Sequence, residues 1–221
     1  MTEMFASFDK KKLIISLILN ALIFIFELVA LSITLKQKSS FIQFYTQDSN
    51  LFALLTSFLC LAFSIYSLAT HSSLPVWVKS LKYFSTCCLT VTFLVVVVIL
   101  APIDGVMYGN VAGAYKNILT NGNMLYHHLL CPILAIVSFV FFEKEPLLGR
   151  QFVLYAMIPT LIYAVVIVIL NIAKLIVGPY PFLHVYEQPV YMSLIWGFVV
   201  LSLAFLINWG VWKLNAIHIV L

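Results

Sequence analysis

Six apolar stretches, at about 13–35, 50–70, 82–102, 123–142, 152–176 and 190–213, decide what this chain can fold into. Each is long enough to cross a hydrocarbon core about 30 Å thick as a helix of about 20 residues. The stretches are continuous and do not alternate, and a helix satisfies its own backbone hydrogen bonds in lipid, so helices are expected and not a barrel. The expected fold is an all-α integral membrane protein, one domain over residues 1–221, with six transmembrane helices in a single bundle.

Composition agrees. Charged residues make up 9% of the chain and hydrophobic ones 63%, which leaves too little polar surface to cover a soluble globule. Lys10, Lys11 and Lys12 ahead of the first run give it the look of a signal peptide. The run is too long for one and has no small-residue cleavage site, so it reads as the first membrane helix.

The net charge of +4 comes mostly from lysines beside membrane segments. It therefore speaks of topology and anionic lipid and not of nucleic acid. With six spans, Lys10, Lys11, Lys12, Lys79, Lys82, Lys144, Arg150 and Lys213 share one side, against Lys36, Lys38, Lys116 and Lys174 on the other. The positive-inside rule then puts both termini in the cytoplasm of a multi-pass cell-membrane protein. Trp209, Trp212, Tyr180, Tyr186 and Tyr191 sit where interfacial aromatic belts are expected. Cys60, Cys87, Cys88 and Cys131 fall within apolar runs, as packing residues and not as a disulfide framework or metal knuckle. There is no internal repeat and no Gly-rich phosphate loop, so nucleotide chemistry has no support and no cofactor is expected.

The polar exceptions carry the functional reading. The loops at about 36–49, 103–122 and 177–189 face outward together in this topology. His128 lies just inside the fourth run from that side, about 7 Å deep at about 1.5 Å per residue. Ionisable side chains at such depth face a bundle interior or a wet cavity, and function is the default hypothesis. Its neighbour His127 projects about 100° away on an α-helix and is expected to bond a loop or meet the interface.

Glu27 is the one acidic residue well inside a span. It either holds its proton against a neighbouring helix or partners His128 at similar depth; residue counting leaves both readings open. Thr46, Asn50, Ala53, Ser57, Cys60 and Ser64 recur at helical spacing as a small, polar stripe of the kind that packs helices closely in lipid. At its outer mouth, Ser49 or Asp48 could cap the second helix. Pro159 should kink the fifth helix. The third helix reads as structural, with Ala101-Pro102-Ile103-Asp104-Gly105 as a turn after it.

Two chemistries can be built from Thr46, Asp48, Asn50, His128 and His184. In the first, histidine takes the proton of the Thr46 hydroxyl, which is a poor nucleophile without a base. Asn50 or Asn123 would donate to the oxyanion, with Ser49 a further polar contact. In the second, His127, His128, His184 and Asp48 bind zinc. Adjacent histidines do not converge on one ion, and no HxxxH or HExxH spacing exists, so metal ranks below the nucleophile.

Three segments carry a resemblance. Phe44-Tyr45-Thr46-Gln47-Asp48-Ser49-Asn50-Leu51 resembles the YFTxxSNLL segment of the Pr6Pr-type integral membrane proteins of bacteria. Leu125 to Pro132 resembles their LLHxxxP segment, with His128 in the histidine place, and Pro179 to Val185 their YPYPFLDV loop. His127 precedes the family histidine, and His184 stands where the loop has aspartate. That family is in turn distantly similar to the androgen-induced, six-helix threonine hydrolases that cleave fatty-acid esters of hydroxy fatty acids. The resemblance implies Thr46 as nucleophile and His128 as base. The resulting expectation is a membrane-embedded hydrolase of an ester or acyl bond in an amphipathic lipid, with Glu27 orienting the imidazole and His184 auxiliary. The alternative is a non-catalytic lipid-binding or proton-coupled transport protein that uses Glu27 and His128.

Overall fold

The structure is a computed structural model that describes residues 10–36, 43–143 and 148–217. Lys38 and Lys144, which enter the charge balance above, lie outside the described residues. No strand occurs among those described. The helices are α1 (Lys10–Lys36), α2 (Tyr45–Thr70), α3 (Val76–Met107), α4 (Val111–Thr120), α5 (Tyr126–Phe142), α6 (Gln151–Ile172) and α7 (Val190–Ile217). Five of them, α1, α2, α3, α6 and α7, are long and apolar enough to cross a membrane; α5 is apolar but shorter. The chain is thus a helical, membrane-embedded protein.

The six apolar runs place α1, α2, α3, α5, α6 and α7 close to where they occur, and the differences have local causes. α3 begins at Val76 and not near 82, and it continues through Ala101-Pro102 to Met107. Pro102 cannot donate a backbone hydrogen bond. A π-helical turn at Val96–Leu100 just ahead of it, closed by the Ala101 N–H on the Val96 carbonyl, keeps the helix going where a turn was expected. The stretch from 103 to 122 is not all loop: α4 occupies half of it, and Asn110 caps that helix by accepting from the Gly113 N–H at 2.8 Å. Gly109 (φ +66) and Gly122 (φ +59) supply the left-handed residues on either side. α6 is interrupted at Ala156, because Pro159 deprives the Tyr155 carbonyl of its donor.

α3 is the central helix, with Tyr83, Cys87 and Leu89 completely buried. α1 turns one face inward through Ser16, Asn20, Ile23, Glu27, Ala30 and Thr34. The small stripe of α2, from Thr46 through Asn50, Ala53, Ser57 and Cys60 to Ser64, is buried as a packing surface. All four cysteines are free and buried.

One end of the bundle contains charges that the sequence reading assigned to its margin. Lys79 and Lys82 are drawn inside by the early start of α3. Lys82 Nζ donates to Asn20 Oδ1 at 2.6 Å and lies 4.0 Å from Glu143 Oε1. The same carboxylate oxygen accepts from Ser16 Oγ at 2.9 Å, Asn20 Nδ2 at 3.0 Å and Ser138 Oγ at 2.5 Å. Asn215, near the end of α7, donates to the carbonyls of Phe139 and Glu143. Residues from α1, α3, α5 and α7 are tied together here, far along α5 from the histidines.

Candidate functional site

Thr46 stands in the first turn of α2, where the leading N–H groups of a helix have no partner within it. His127 and His128 stand in a π-helical turn, Tyr126–Leu130, at the start of α5. Pro132 explains that turn. Lacking an N–H, it leaves the His128 carbonyl without its α-helical donor, and the Cys131 N–H reaches back to the Tyr126 carbonyl instead. The widened turn lets two adjacent histidines both lie inside the bundle, His127 2% and His128 5% exposed.

They face different partners. His128 Nε2 is 3.3 Å from Thr46 Oγ1, and its Nδ1 is 2.7 Å from the Ile118 carbonyl oxygen on α4. A carbonyl can only accept, so Nδ1 carries the proton and the bare Nε2 lone pair faces the threonine hydroxyl. The imidazole is held in the tautomer a general base needs, by a backbone carbonyl and not by a carboxylate.

Glu27 does not reach this ring in the structure. Its Oε2 lies 3.6 Å from His127 Nε2, so the carboxyl belongs to the neighbour that the α-helical 100° rule had turned away. Glu27 Oε1, His127 Nδ1 and Asn50 Oδ1 are buried without a hydrogen-bond partner. All three residues line a small cavity of about 10 Å3, close to the room one water needs.

The amides expected to serve an oxyanion are engaged elsewhere. Asn50 Nδ2 donates to the Thr46 carbonyl at 2.7 Å, and Asn123 Nδ2 to Thr34 Oγ1 at 2.8 Å. Ser49 does not cap α2, which begins four residues earlier; its hydroxyl donates to the Thr46 carbonyl and lies 2.9 Å from that of Thr92. Asp48, half-buried in the first turn, suits the positive end of the helix dipole. His184 pairs with Glu187 at 2.8 Å on the loop before α7.

Tyr180 lies beside the N–H of Thr46, where neither asparagine is directed. The Thr46 N–H points at its hydroxyl at 3.5 Å, and its ring packs against Phe44 and Phe182. Burial pushes its phenol upward from the ordinary range, so it stays protonated and able to donate. The prolines of Gly178-Pro179-Tyr180-Pro181 were the only sign of it, since they mark a stiff loop; nothing in sequence separates this tyrosine from an interfacial anchor.

Two cavities lie near the pair. An apolar one of about 430 Å3 has Thr46, Tyr163 and Tyr180 near one another on its wall and valines and leucines of α3, α6 and α7 over the rest. A polar one of about 550 Å3, bordered by Asp104, Tyr108, Asn117, Asn121 and Asn123, also includes Ile118. His128, bonded to Thr46 and to Ile118, stands between the two. Among the described residues, no three His, Cys, Asp or Glu side chains gather as metal ligands would. No protein-family model matches the chain, and no curated protein or solved structure is found to be similar to it.

Proposed function

We propose that the protein is a membrane-embedded hydrolase that cleaves an ester of an amphipathic lipid, with Thr46 as nucleophile and His128 as general base. The observation that carries this reading is the ordered chain from the Thr46 hydroxyl through the His128 ring to the Ile118 carbonyl, placed at the wall of an apolar cavity. Similarity of the three segments to the Pr6Pr-type family points the same way.

As Thr46 Oγ1 bonds to the ester carbonyl carbon, its proton passes to His128 Nε2. The carbonyl oxygen gains charge, and the Tyr180 hydroxyl donates to it, a role that the half-buried, protonated phenol suits. The bond to the leaving alkoxide then breaks, and His128 returns the proton to that oxygen. A water attacks the acyl-threonine next, gives a proton to Nε2, and the regenerated Thr46 hydroxyl takes it back while the acid departs. The polar cavity beside Ile118 is the side from which water would come. We place both termini in the cytoplasm and the site toward the outer face, with α5 as a sixth span shortened by its π turns.

The test is turnover of a long-chain ester by purified protein in vesicles. Thr46→Ala and His128→Ala should each abolish it while the protein stays folded by circular dichroism, and a near-normal rate in either variant would sink the reading. One observation favours the alternative of a proton-coupled carrier: the buried Glu27–His127 pair, since intramembrane carboxylates and histidines also serve transport. A carrier would show pH-driven flux in liposomes that survives Thr46→Ala.

A further inference from the structure

α7 packs tightly against the bundle only in its second half; the first half touches the core through partly buried side chains such as Trp196, Val200 and Leu201. The buried residues of α7 are Ala204, Ile207, Asn208, Val211 and Asn215; none falls between Val190 and Leu203. In that first half Leu194 and Phe198 are 70% and 75% exposed. The cavity of about 430 Å3 lies between this half-helix, α6 and α3, and Thr46 is on its wall. Gly197 borders the cavity, and a side chain built on it would meet nothing within 4 Å. The gap therefore opens to the side of the bundle, where α7 presents exposed backbone at Gly197.

Its occupant follows from size and chemistry. About 430 Å3 falls in the range of small-molecule sites, whereas a helix is about 10 Å across and would have to displace α7. The far wall is Val91 and Val95 of α3, both buried, with Val168 of α6 beside them. A flexible apolar chain fits such walls, and its reactive carbonyl would end at the Thr46–Tyr180 corner, where Tyr163 also borders the cavity.

We propose that the substrate reaches Thr46 sideways from the bilayer, between α6 and α7, and that one acyl chain lies behind the first half of α7 with Gly197 leaving the room it needs. This deepens the hydrolase reading and rests on Thr46 as the reacting residue. The test uses a palmitate ester that carries a diazirine at mid-chain, added to Thr46→Ala protein in phosphatidylcholine vesicles, so that binding is read without turnover. Illumination should label Val91 and Val95, saturably and with competition by unlabelled ester. These buried residues meet a lipid chain only through the cavity. Gly197→Phe, or Val168→Phe on the facing wall, should cut that labelling about tenfold, the equivalent of about 1.4 kcal/mol. Label confined to bilayer-facing residues such as Val165 and Ile169, or unchanged by both substitutions, would overturn the proposal. Labelling of Val91 and Val95 in a protein whose native form hydrolyses nothing would keep the route and defeat the hydrolase; turnover without such labelling would do the reverse.

Discussion

The Nδ1 proton of His128 points at a backbone carbonyl, and this fixes what its other nitrogen can do. A carbonyl orients the ring without adding charge, so stabilisation of the transition state must come largely from donors to the oxyanion. Tyr180→Phe should then lower kcat by about 10²–10³, the usual loss for one such donor, with little change in KM. Steady-state kinetics on a vesicle-borne ester decides it, and a normal kcat would remove Tyr180 from the chemistry. Glu27→Gln should leave the rate within about threefold, under 1 kcal/mol of barrier, because Glu27 faces His127. A hundredfold loss would put the carboxyl back in the service of His128. His128 stood out in the sequence as a histidine within an apolar run, whereas Thr46, followed by Gln47, Asp48, Ser49 and Asn50, was singled out by the segment's resemblance and by its depth. Their helpers were not readable, because an Ile118 carbonyl has no signature in a sequence and depth alone could not tell which histidine Glu27 would meet.

Among the elements, α5 shows how one imino acid reorganises a site. Pro132 forces the π turn that brings both histidines inside, so Pro132→Ala should restore α-helical register, turn His128 away from Thr46 and lower turnover while the fold persists. Rates together with circular dichroism check this, and an unaltered rate would mean that the π turn is incidental. At the opposite end of the bundle, Lys82 and Glu143 are both buried and share Asn20. Lys82→Met should cost about 3–5 kcal/mol, the range for stranding one member of a buried pair, with most of it recovered in the double variant Lys82→Met/Glu143→Met. Unfolding in detergent micelles measures both, and a neutral single substitution would contradict it. The long helices were legible from apolar runs to within about six residues, and α4 was not. Nor was the burial of Lys79 and Lys82, because a lysine ahead of an apolar run looks the same whether it faces headgroups or is drawn in by extra turns of α3.

Over the whole molecule, hydropathy and the absence of alternation were enough to give a helical membrane bundle. What they could not give was the uneven packing of α7, whose first half is the more apolar in sequence yet holds none of its fully buried residues. The proposed orientation predicts that a cysteine at Asn121 reacts with an impermeant maleimide on intact cells, while one at Arg150 reacts only after permeabilisation. The four native cysteines are buried and should contribute little background. The opposite pattern would invert the topology and turn the site toward the cytoplasm.

The central claim is that Thr46 carries the acyl group. Protein mixed with a long-chain ester in vesicles, quenched during turnover and digested, should yield the peptide that contains Thr46 with the mass of the acyl chain added. Thr46→Ala should yield neither adduct nor product. An acyl group mapped to another residue, or product formed at an ordinary rate by Thr46→Ala, would contradict the account.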